Sequence, residues 1–348
     1  MNLITYKNLL NFTKKILKET GLDSKSVNSV SLGLCEASLR GVDSHGIKLL
    51  PHYIKSAQLG RKNPTPSFIF TKTFPSVGVL DADNAFGHAA GIEAIDCCIK
   101  LAKKNGIGAV AVRNSSHPGA LASMTIKAAR KGYISFAFTH ADSLMLSHGG
   151  KRSYFGTNPI SFAAPRKEKE PYCLDMATSM ISWNKLLNLK NTKQNLEKNL
   201  SADKDGNMVS DPELAVSLLP AGSYKGYGLA SMVEILSGIL TGMNFGRSIP
   251  SMYAASMRKP RHLGQFYIVI RPDAFLNSNK FISRMQKLTD EIRKEPAKKG
   301  KKVMLPNDPE IIASKERLKK GIPVDKVLKI ELEKLARIFS VKLIFKKK

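Results

Sequence analysis

The stretch from Arg113 to Pro165 constrains the fold most, because polar side chains follow successive apolar segments within it. One apolar segment ends in Asn114–His117 and a second ends in Thr139–Asp142. A glycine-rich turn then leads to Gly156–Pro159. Ligands of open α/β sheets bind just beyond the carboxyl ends of strands, and a helix that begins there presents free N–H groups to an anion. We therefore predict that this stretch forms the floor of a small-molecule site.

The pattern along the chain predicts an α/β protein of more than one part. The 348 residues are ample for two domains. Beyond the boundary marked by Pro64 and Pro66, predicted strands alternate with predicted helices, as is typical of βαβ units. Gln265–Ile270 is the last predicted strand of this region. We therefore predict a helical segment at 1–66, an α/β cofactor-binding domain at 67–272 and a helical segment at 273–348.

The composition excludes several classes of protein. Lys and Arg number 55 against 28 Asp and Glu, a net charge of +27, and such a balance favours nucleic-acid or anionic partners. The basic clusters lack the interleaved aromatic residues that stack on bases, so we interpret them as a lysine-rich surface and expect no nucleic-acid partner. Four cysteines without C-x-x-C spacing indicate a reduced, cytoplasmic protein. The apolar stretch Gly226–Met243 contains Glu234, which favours a buried helix over a membrane span.

Two histidines are the strongest candidates for acid/base chemistry. Gly41 and Gly46 bracket Ser44-His45, so the backbone there can turn tightly beside a ligand. An imidazole transfers protons near neutral pH, and the adjacent serine hydroxyl can orient it. The alternative is a capping serine with a structural histidine. His117 follows a predicted strand, and its alternative role is packing at a turn.

Two charged residues are further candidates for ligand binding. Asp175 either caps the turn that follows it or accepts a hydrogen bond from a ligand hydroxyl. Lys225 lies at a predicted helix N-terminus, where the helix dipole stabilises anions and gives nothing to a cation. A lysine at this position is therefore more easily explained by a role in ligand binding. The chain has no G-x-G-x-x-G, Walker loop or G-x-S-x-G, and no His/Cys cluster at metal spacing, so we expect no metal site.

Five motifs carry a resemblance to a known family. They are RGVDSHGI, NSSHPGA, FGTNPISFAAP, LDMATS and LPAGSYKGYGL, in this order. In this order and spacing the chain resembles the malate/L-lactate dehydrogenase family of the non-Rossmann type, which includes sulfolactate and ureidoglycolate dehydrogenases and diketogulonate reductase. The resemblance implies a mixed sheet with helices, in which the N-terminal and C-terminal helical segments pack together. It also implies a homodimer that transfers hydride between NAD or NADP and a small 2-hydroxy or 2-oxo acid.

The resemblance also implies a role for particular residues. His45 is the expected proton donor, Ser44 supports it, and His117 lies by the nicotinamide as an alternative acid or base. Thr157 and Asn158 are expected to border the substrate. The residues expected to contact the cofactor are His117, Pro118, Gly119, Ala120, Leu121, Asp175, Met176, Ala177, Lys225 and Gly226.

The chain departs from the family pattern at three places. Lys48 occupies the region where the family carries an arginine for the substrate carboxylate, and lysine cannot form a bidentate fork. An altered version of the family's C-terminal cofactor motif contains Pro306, Asn307 and Asp308. Trp183 and Asn184 replace the usual residues and are expected to shape the substrate pocket. These departures leave two alternatives: a cyclic imino-acid reductase, or a catalytically weakened, basic binding protein.

Overall fold

The computed structural model describes residues 2–346. The helices are α1 Tyr6–Glu19, α2 Ser24–Leu39, α3 Leu50–Gln58, α4 Gly87–Asn105, α5 Ala122–Arg130, α6 Trp183–Thr192, α7 Tyr224–Glu234, α8 Ser278–Lys294, α9 Asp308–Lys320 and α10 Lys326–Ile338. The strands are β1 Asn2–Ile4, β2 Ile69–Phe74, β3 Val77–Asp81, β4 Ile107–Ser115, β5 Ile134–Thr139, β6 Met145–Leu146, β7 Ser153–Phe155, β8 Ile160–Ala164, β9 Tyr172–Met176, β10 Ser201–Ala202, β11 Met208–Val209, β12 Ser217–Leu218, β13 Leu263–Ile270 and β14 Ile322–Val324.

A seven-stranded mixed sheet forms the centre, in the order β2-β3-β4-β13-β5-β8-β9. The pair β3–β4 is parallel and is connected through α4, as expected for a βαβ unit. Helix α5 connects β4 to β5, but β13 lies between these two strands and is antiparallel to both. Gln265 at the start of β13 pairs with Val112 of β4 and with Thr139 of β5. The carboxyl ends of β4 and β5 therefore flank the beginning of β13, and the predicted mixed α/β fold is confirmed.

Helix α4 packs closely on the central sheet because small residues line the contact. Ala90 and Ala94 are fully buried in the same cluster as Val110 and Val112 of β4. A Cβ at Gly108 would lie 2.4 Å from the carbonyl oxygen of Cys98, so the close approach of helix and strand requires glycine there. This contact fixes the position of β4, whose end carries the residues leading to His117.

The two ends of the chain share one hydrophobic core. Strand β1 pairs antiparallel with β14, where Leu3 lies opposite Pro323. Leu328 and Leu332 of α10 belong to the same buried cluster as Leu9 of α1. The C-terminal helices thus pack against the N-terminal ones. The division of the chain after residues 66 and 272 stays a prediction.

A smaller five-stranded sheet has the order β11-β10-β12-β6-β7. Leu186 of α6 packs with Leu200 and Leu218 in a buried cluster of this region. Ser182 caps α6, since its hydroxyl accepts a hydrogen bond from the backbone N–H of Lys185 at 3.2 Å. This cap positions the first residues of α6 at the cavity described below. No helix within residues 2–346 is both long enough and apolar enough to cross a bilayer.

Candidate active site

A cavity of about 630 Å³ lies at the end of the central sheet where β4, β5 and β9 terminate. The segment after α2, the beginning of α6 and the loop preceding β13 complete its walls. Most of the predicted site residues line it: Ser44, His45, His117, Gly119, Ala120, Thr157, Asp175, Met176, Ala177, Trp183 and Asn184. The structure therefore brings residues from four separate motifs to one concave surface.

His45 and His117 form a stacked pair in this cavity. Their ring centroids are 5.5 Å apart and the ring planes differ by 21°. The Ser44 hydroxyl lies 3.0 Å from His45 Nδ1, and the Tyr53 hydroxyl lies 2.8 Å from His117 Nδ1. A hydroxyl at one nitrogen fixes the ring orientation and leaves the other nitrogen for a ligand.

Burial favours the neutral form of both rings. Burial lowers the pKa of His45 to about 4. Burial, followed by the nearby His45 and Lys62, lowers the pKa of His117 well below its ordinary value. Because an anion near the rings would favour the protonated form, a negatively charged ligand would raise both pKa values on binding.

Arg261 is a cavity residue that the sequence did not indicate. It is 4 % exposed, and its Nη2 forms an ion pair with Asp142, which follows β5. Its Nε donates to the carbonyl oxygen of Pro250 at 2.7 Å, and Asp142 Oδ2 accepts from the backbone N–H of Met252 at 3.2 Å. A guanidinium has five N–H donors, so donors remain for a ligand in the cavity.

The pairing of strands explains why Arg261 was missed. Arg261 and Asp142 are 119 residues apart in sequence. They become neighbours because β13 begins beside the end of β5, and nothing in the local sequence signals this pairing. Only a prediction that placed β13 next to β5 would show that Arg261 and Asp142 lie close together.

Asn184 connects two walls of the cavity. Its amide donates to the carbonyl oxygen of Ser44 at 2.8 Å, and its Oδ1 accepts from the Tyr253 hydroxyl at 2.9 Å. The residue before it, Trp183, also lines the cavity. Trp183 and Asn184, which depart from the family pattern and are predicted to shape the pocket, therefore lie in the cavity wall. Asn184 also holds the Ser44-His45 turn in place.

The predicted cofactor residues divide into two groups. Gly119, Ala120 and the strand end Asp175–Ala177 line the main cavity. Asp175 Oδ2 accepts from the backbone N–H of Ala122 at 2.8 Å, so it caps α5 and not the turn that follows it. A second small cavity shares Ala120 and Asp175 with the first and is lined also by Asn307.

Other predicted residues lie outside the main cavity. Pro118, Leu121 and Gly226 are buried and do not line it, and Lys225 is exposed. Pro306 lies outside both cavities, and the Asp308 carboxylate pairs with Arg293 at 2.6 Å. Binding roles for these six residues and Asn307 stay predictions.

Two predicted substrate residues are engaged in contacts with the protein. Lys48 Nζ pairs with Asp325 at 2.8 Å and does not line the cavity. Asn158 is fully buried, and its amide donates to Glu234 at 2.7 Å and to the carbonyl oxygen of Ala230 at 3.0 Å. Their substrate roles also stay predictions, which this geometry does not support.

The comparisons with known proteins identify the family of this chain. The model of the malate/L-lactate dehydrogenase family matches residues 4–333. The chain belongs to the malate/L-lactate dehydrogenase family. The resemblance carried by the five motifs is thereby confirmed.

Individual relatives span nearly the whole chain. A ureidoglycolate dehydrogenase (NAD(+)) of Escherichia coli strain K12 is 34 % identical over 309 residues, 88 % of each chain. A (2R)-3-sulfolactate dehydrogenase (NADP(+)) of Chromohalobacter salexigens is 31 % identical over 261 residues, 74 % of this chain and 78 % of that one. The crystal structure of malate dehydrogenase from Entamoeba histolytica superposes with a TM-score of 0.93 at 28 % identity, covering 98 % of this chain and 99 % of that chain.

These relatives confirm the reaction class predicted for this member of the family. It is a dehydrogenase of 2-hydroxy acids, and the relatives include enzymes named for NAD(+) and for NADP(+). The relatives' substrates differ from one another, so the particular acid is a separate question.

Proposed function

We propose that this chain interconverts a small 2-hydroxy acid and its 2-oxo acid, that Arg261 binds the carboxylate, and that His45 transfers the proton. One observation carries the proposal: two hydroxyl-anchored histidines and a buried arginine line the same cavity of about 630 Å³. A guanidinium presents parallel N–H donors that match a carboxylate, which an ammonium cannot do. The bound carboxylate places the C2 oxygen within the volume that His45 also borders.

Protonation of His45 then depends on the substrate. In the protein without ligand its pKa of about 4 keeps it neutral at neutral pH. Neutral imidazole is the form that accepts a proton from the hydroxyl of a 2-hydroxy acid. In the reverse direction, an anionic 2-oxo acid favours the imidazolium that donates a proton to the C2 oxygen. His117, which is stacked on His45, is the alternative acid or base.

Small residues in the cavity fit a nicotinamide cofactor. Gly119, Ala120 and Ala177 line it beside Asp175, and none of these three has a side chain larger than a methyl group. The cofactor, either NAD or NADP, supplies the hydride acceptor or donor. Asp175, Met176 and Ala177 would hold it, together with the residues that lead from His117 into α5. Thr157 and Trp183 border the space left for the substrate.

The test is turnover combined with a separate measurement of cofactor binding. Nicotinamide fluorescence would report binding of NADH and NADPH, and nicotinamide absorbance would report oxidation in the presence of 2-oxo acids. The matching 2-oxo amides serve as controls because they lack the carboxylate that Arg261 would bind, and cyclic imines extend the panel. Turnover of a 2-oxo acid but not of its amide supports the proposal. Binding of neither cofactor would refute it.

We also propose a cytoplasmic homodimer. The turn that continues α7 exposes an apolar row in which Ile235, Ile239 and Leu240 are 53 %, 57 % and 56 % accessible. Such a row is unfavourable in water and suits a second copy of the same chain. The four cysteines are free and buried, which supports a reducing compartment. Light scattering of the wild type and of Ile239→Lys tests the dimer, because the variant is expected to be monomeric.

A further inference from the structure

Lys62 is a buried lysine without a hydrogen-bonding partner. It follows α3, and its backbone N–H donates to the carbonyl oxygen of Ser56 at 3.2 Å, which fixes the segment. The residue is 3 % exposed, and its Nζ has no hydrogen-bond acceptor within residues 2–346. A buried amine that forms neither an ion pair nor a hydrogen bond is rare, so its surroundings require another explanation.

Two aromatic rings provide the environment of this amine. Nζ lies 3.6 Å from the ring centroid of Tyr53 and 4.6 Å from that of Phe86. The negative faces of aromatic rings attract a cation, most strongly where water is excluded. The two rings therefore replace the missing acceptors when Lys62 is protonated.

Tyr53 links Lys62 to the catalytic histidines. Its ring lies beneath the amine, and its hydroxyl is 2.8 Å from His117 Nδ1. The His88 ring packs edge-on against Tyr53 at 5.7 Å, and its two nitrogens have no partner within residues 2–346. A charge on Lys62 therefore acts on His117 across a single buried ring.

The other charged and titratable groups around this cluster are mostly basic. They are Arg61, Arg261, His45, His52, His88 and, farther out, Lys55 and Tyr253. Within residues 2–346, the one carboxylate near the cluster is Asp142, which is already paired with Arg261. Burial lowers the pKa of Lys62 well below its ordinary value, and Arg261 and Arg61 lower it further. The surroundings therefore tolerate few additional positive charges.

We propose that Lys62 is a positioning residue that keeps the His117 ring neutral as the solution becomes more acidic. An amine binds a proton more tightly than an imidazole, and the two ring faces accept the resulting cation. Lys62 therefore gains its proton before His117 does. The positive charge on Lys62 then opposes protonation of His117. The His117 ring therefore stays neutral and keeps its hydrogen bond with the Tyr53 hydroxyl.

The functional consequence rests on the proposed function. Oxidation of a 2-hydroxy acid requires a neutral imidazole to accept the hydroxyl proton, and the histidine pair includes His117. By delaying protonation of that pair, Lys62 extends oxidation to lower pH. Replacement of Lys62 by a neutral residue would narrow the range of pH in which the oxidation proceeds.

Nuclear magnetic resonance of the full-length protein, labelled with ¹⁵N at histidine, tests the proposal directly. The His117 signal is assigned by its loss in His117→Asn, and it is followed from neutral to acid pH. In Lys62→Met, and in Lys62→Gln as a second neutral variant, the pH at which His117 gains a proton is expected to rise by about one unit, as for loss of a nearby like charge. Lys62→Arg retains the charge and is expected to titrate like the wild type, as is Lys55→Met, which removes an exposed lysine of α3. An unchanged His117 titration in both neutral variants would overturn the proposal.

The pH dependence of kcat/KM for hydroxy-acid oxidation supplies the second readout. Its acid limb is expected to move upward in Lys62→Met, in the same direction as the His117 titration, because His117 is stacked on His45 and is the alternative base. A purely structural role would not produce this change. A shifted titration without turnover of any 2-hydroxy acid supports the role of Lys62 and refutes the proposed function. An unchanged titration in an active enzyme refutes the role of Lys62 alone.

Discussion

The buried pair of Asp142 and Arg261 provides the most discriminating prediction about this protein. The side chains of the two residues are 11 % and 4 % exposed, and they join the end of β5 to the loop preceding β13. Asp142→Asn keeps the shape of the side chain but removes the charge that balances the guanidinium. Because the guanidinium remains buried, this change leaves an uncompensated charge in the interior.

The size of the effect follows from this burial. Removal of one partner from a buried pair costs about 3–5 kcal/mol, and we take about 3 kcal/mol because asparagine still accepts a hydrogen bond. With an unfolding entropy of about 2.1 cal/mol/K per residue, 348 residues give about 0.7 kcal/mol/K. The midpoint of cooperative thermal unfolding is therefore expected to fall by about 4 °C. Since Arg261 loses its orientation, kcat/KM is expected to fall by about tenfold or more.

Thermal unfolding followed by circular dichroism, together with steady-state kinetics, checks both effects. The matched control is Asp273→Asn, which removes the carboxylate of a similar pair with Arg271 whose side chains are 36 % and 40 % exposed. Solvent screens this pair, so the control is expected to unfold at the wild-type temperature. An Asp142→Asn protein with both its Tm and its kcat/KM unchanged would refute the reasoning about Arg261.

Three further predictions concern the histidine and lysine that the sequence singled out. His45→Gln is expected to lower kcat by about 10²- to 10⁴-fold while NADH affinity, measured by fluorescence, is retained; an unchanged kcat would remove His45 from proton transfer. Because folding depresses the pKa of His45 from 6.5 to about 4, its contribution to stability is complete above pH 6.5 and is lost as the pH falls toward 4. The Tm of the wild type should therefore decrease more than that of His45→Gln over this interval, and parallel decreases would contradict the shift. Lys48→Met is expected to leave kcat/KM nearly unchanged because Lys48 pairs with Asp325. A large increase in KM would show instead that Lys48 binds the substrate.

Local sequence was sufficient for part of the candidate site. Ser44 and His45 are adjacent in the chain and lie in one short turn, so their 3.0 Å contact needs little beyond that turn. The five motifs likewise indicated the family, and with it the mixed α/β fold. Asn184 was singled out only as a departure from the family, and its bonds to Ser44 and Tyr253 became visible in the folded protein.

Long-range pairing decided the remainder. Gln265–Ile270 was predicted as a strand, and β13 spans Leu263–Ile270, but its place between β4 and β5 could not be predicted. Strand periodicity specifies which residues face the core, and it does not specify the neighbouring strands. The insertion of β13 brings Arg261 to Asp142 and to the cavity. Lys48, in contrast, is drawn toward Asp325 by the packing of the two ends of the chain.

By itself, the sequence determined the chemistry available to this protein: the histidines, the small residues that leave room for a cofactor, and the reaction class that its motifs share with a family. The tertiary structure decided which charges meet and which are buried. It paired Arg261 with Asp142. It also placed the Lys62 amine against two aromatic rings, where no hydrogen-bond acceptor within residues 2–346 reaches it. Types of functional group are properties of single residues and are present in any conformation. Partners, burial and therefore pKa values depend on distances between residues far apart in the chain, and only folding sets those distances.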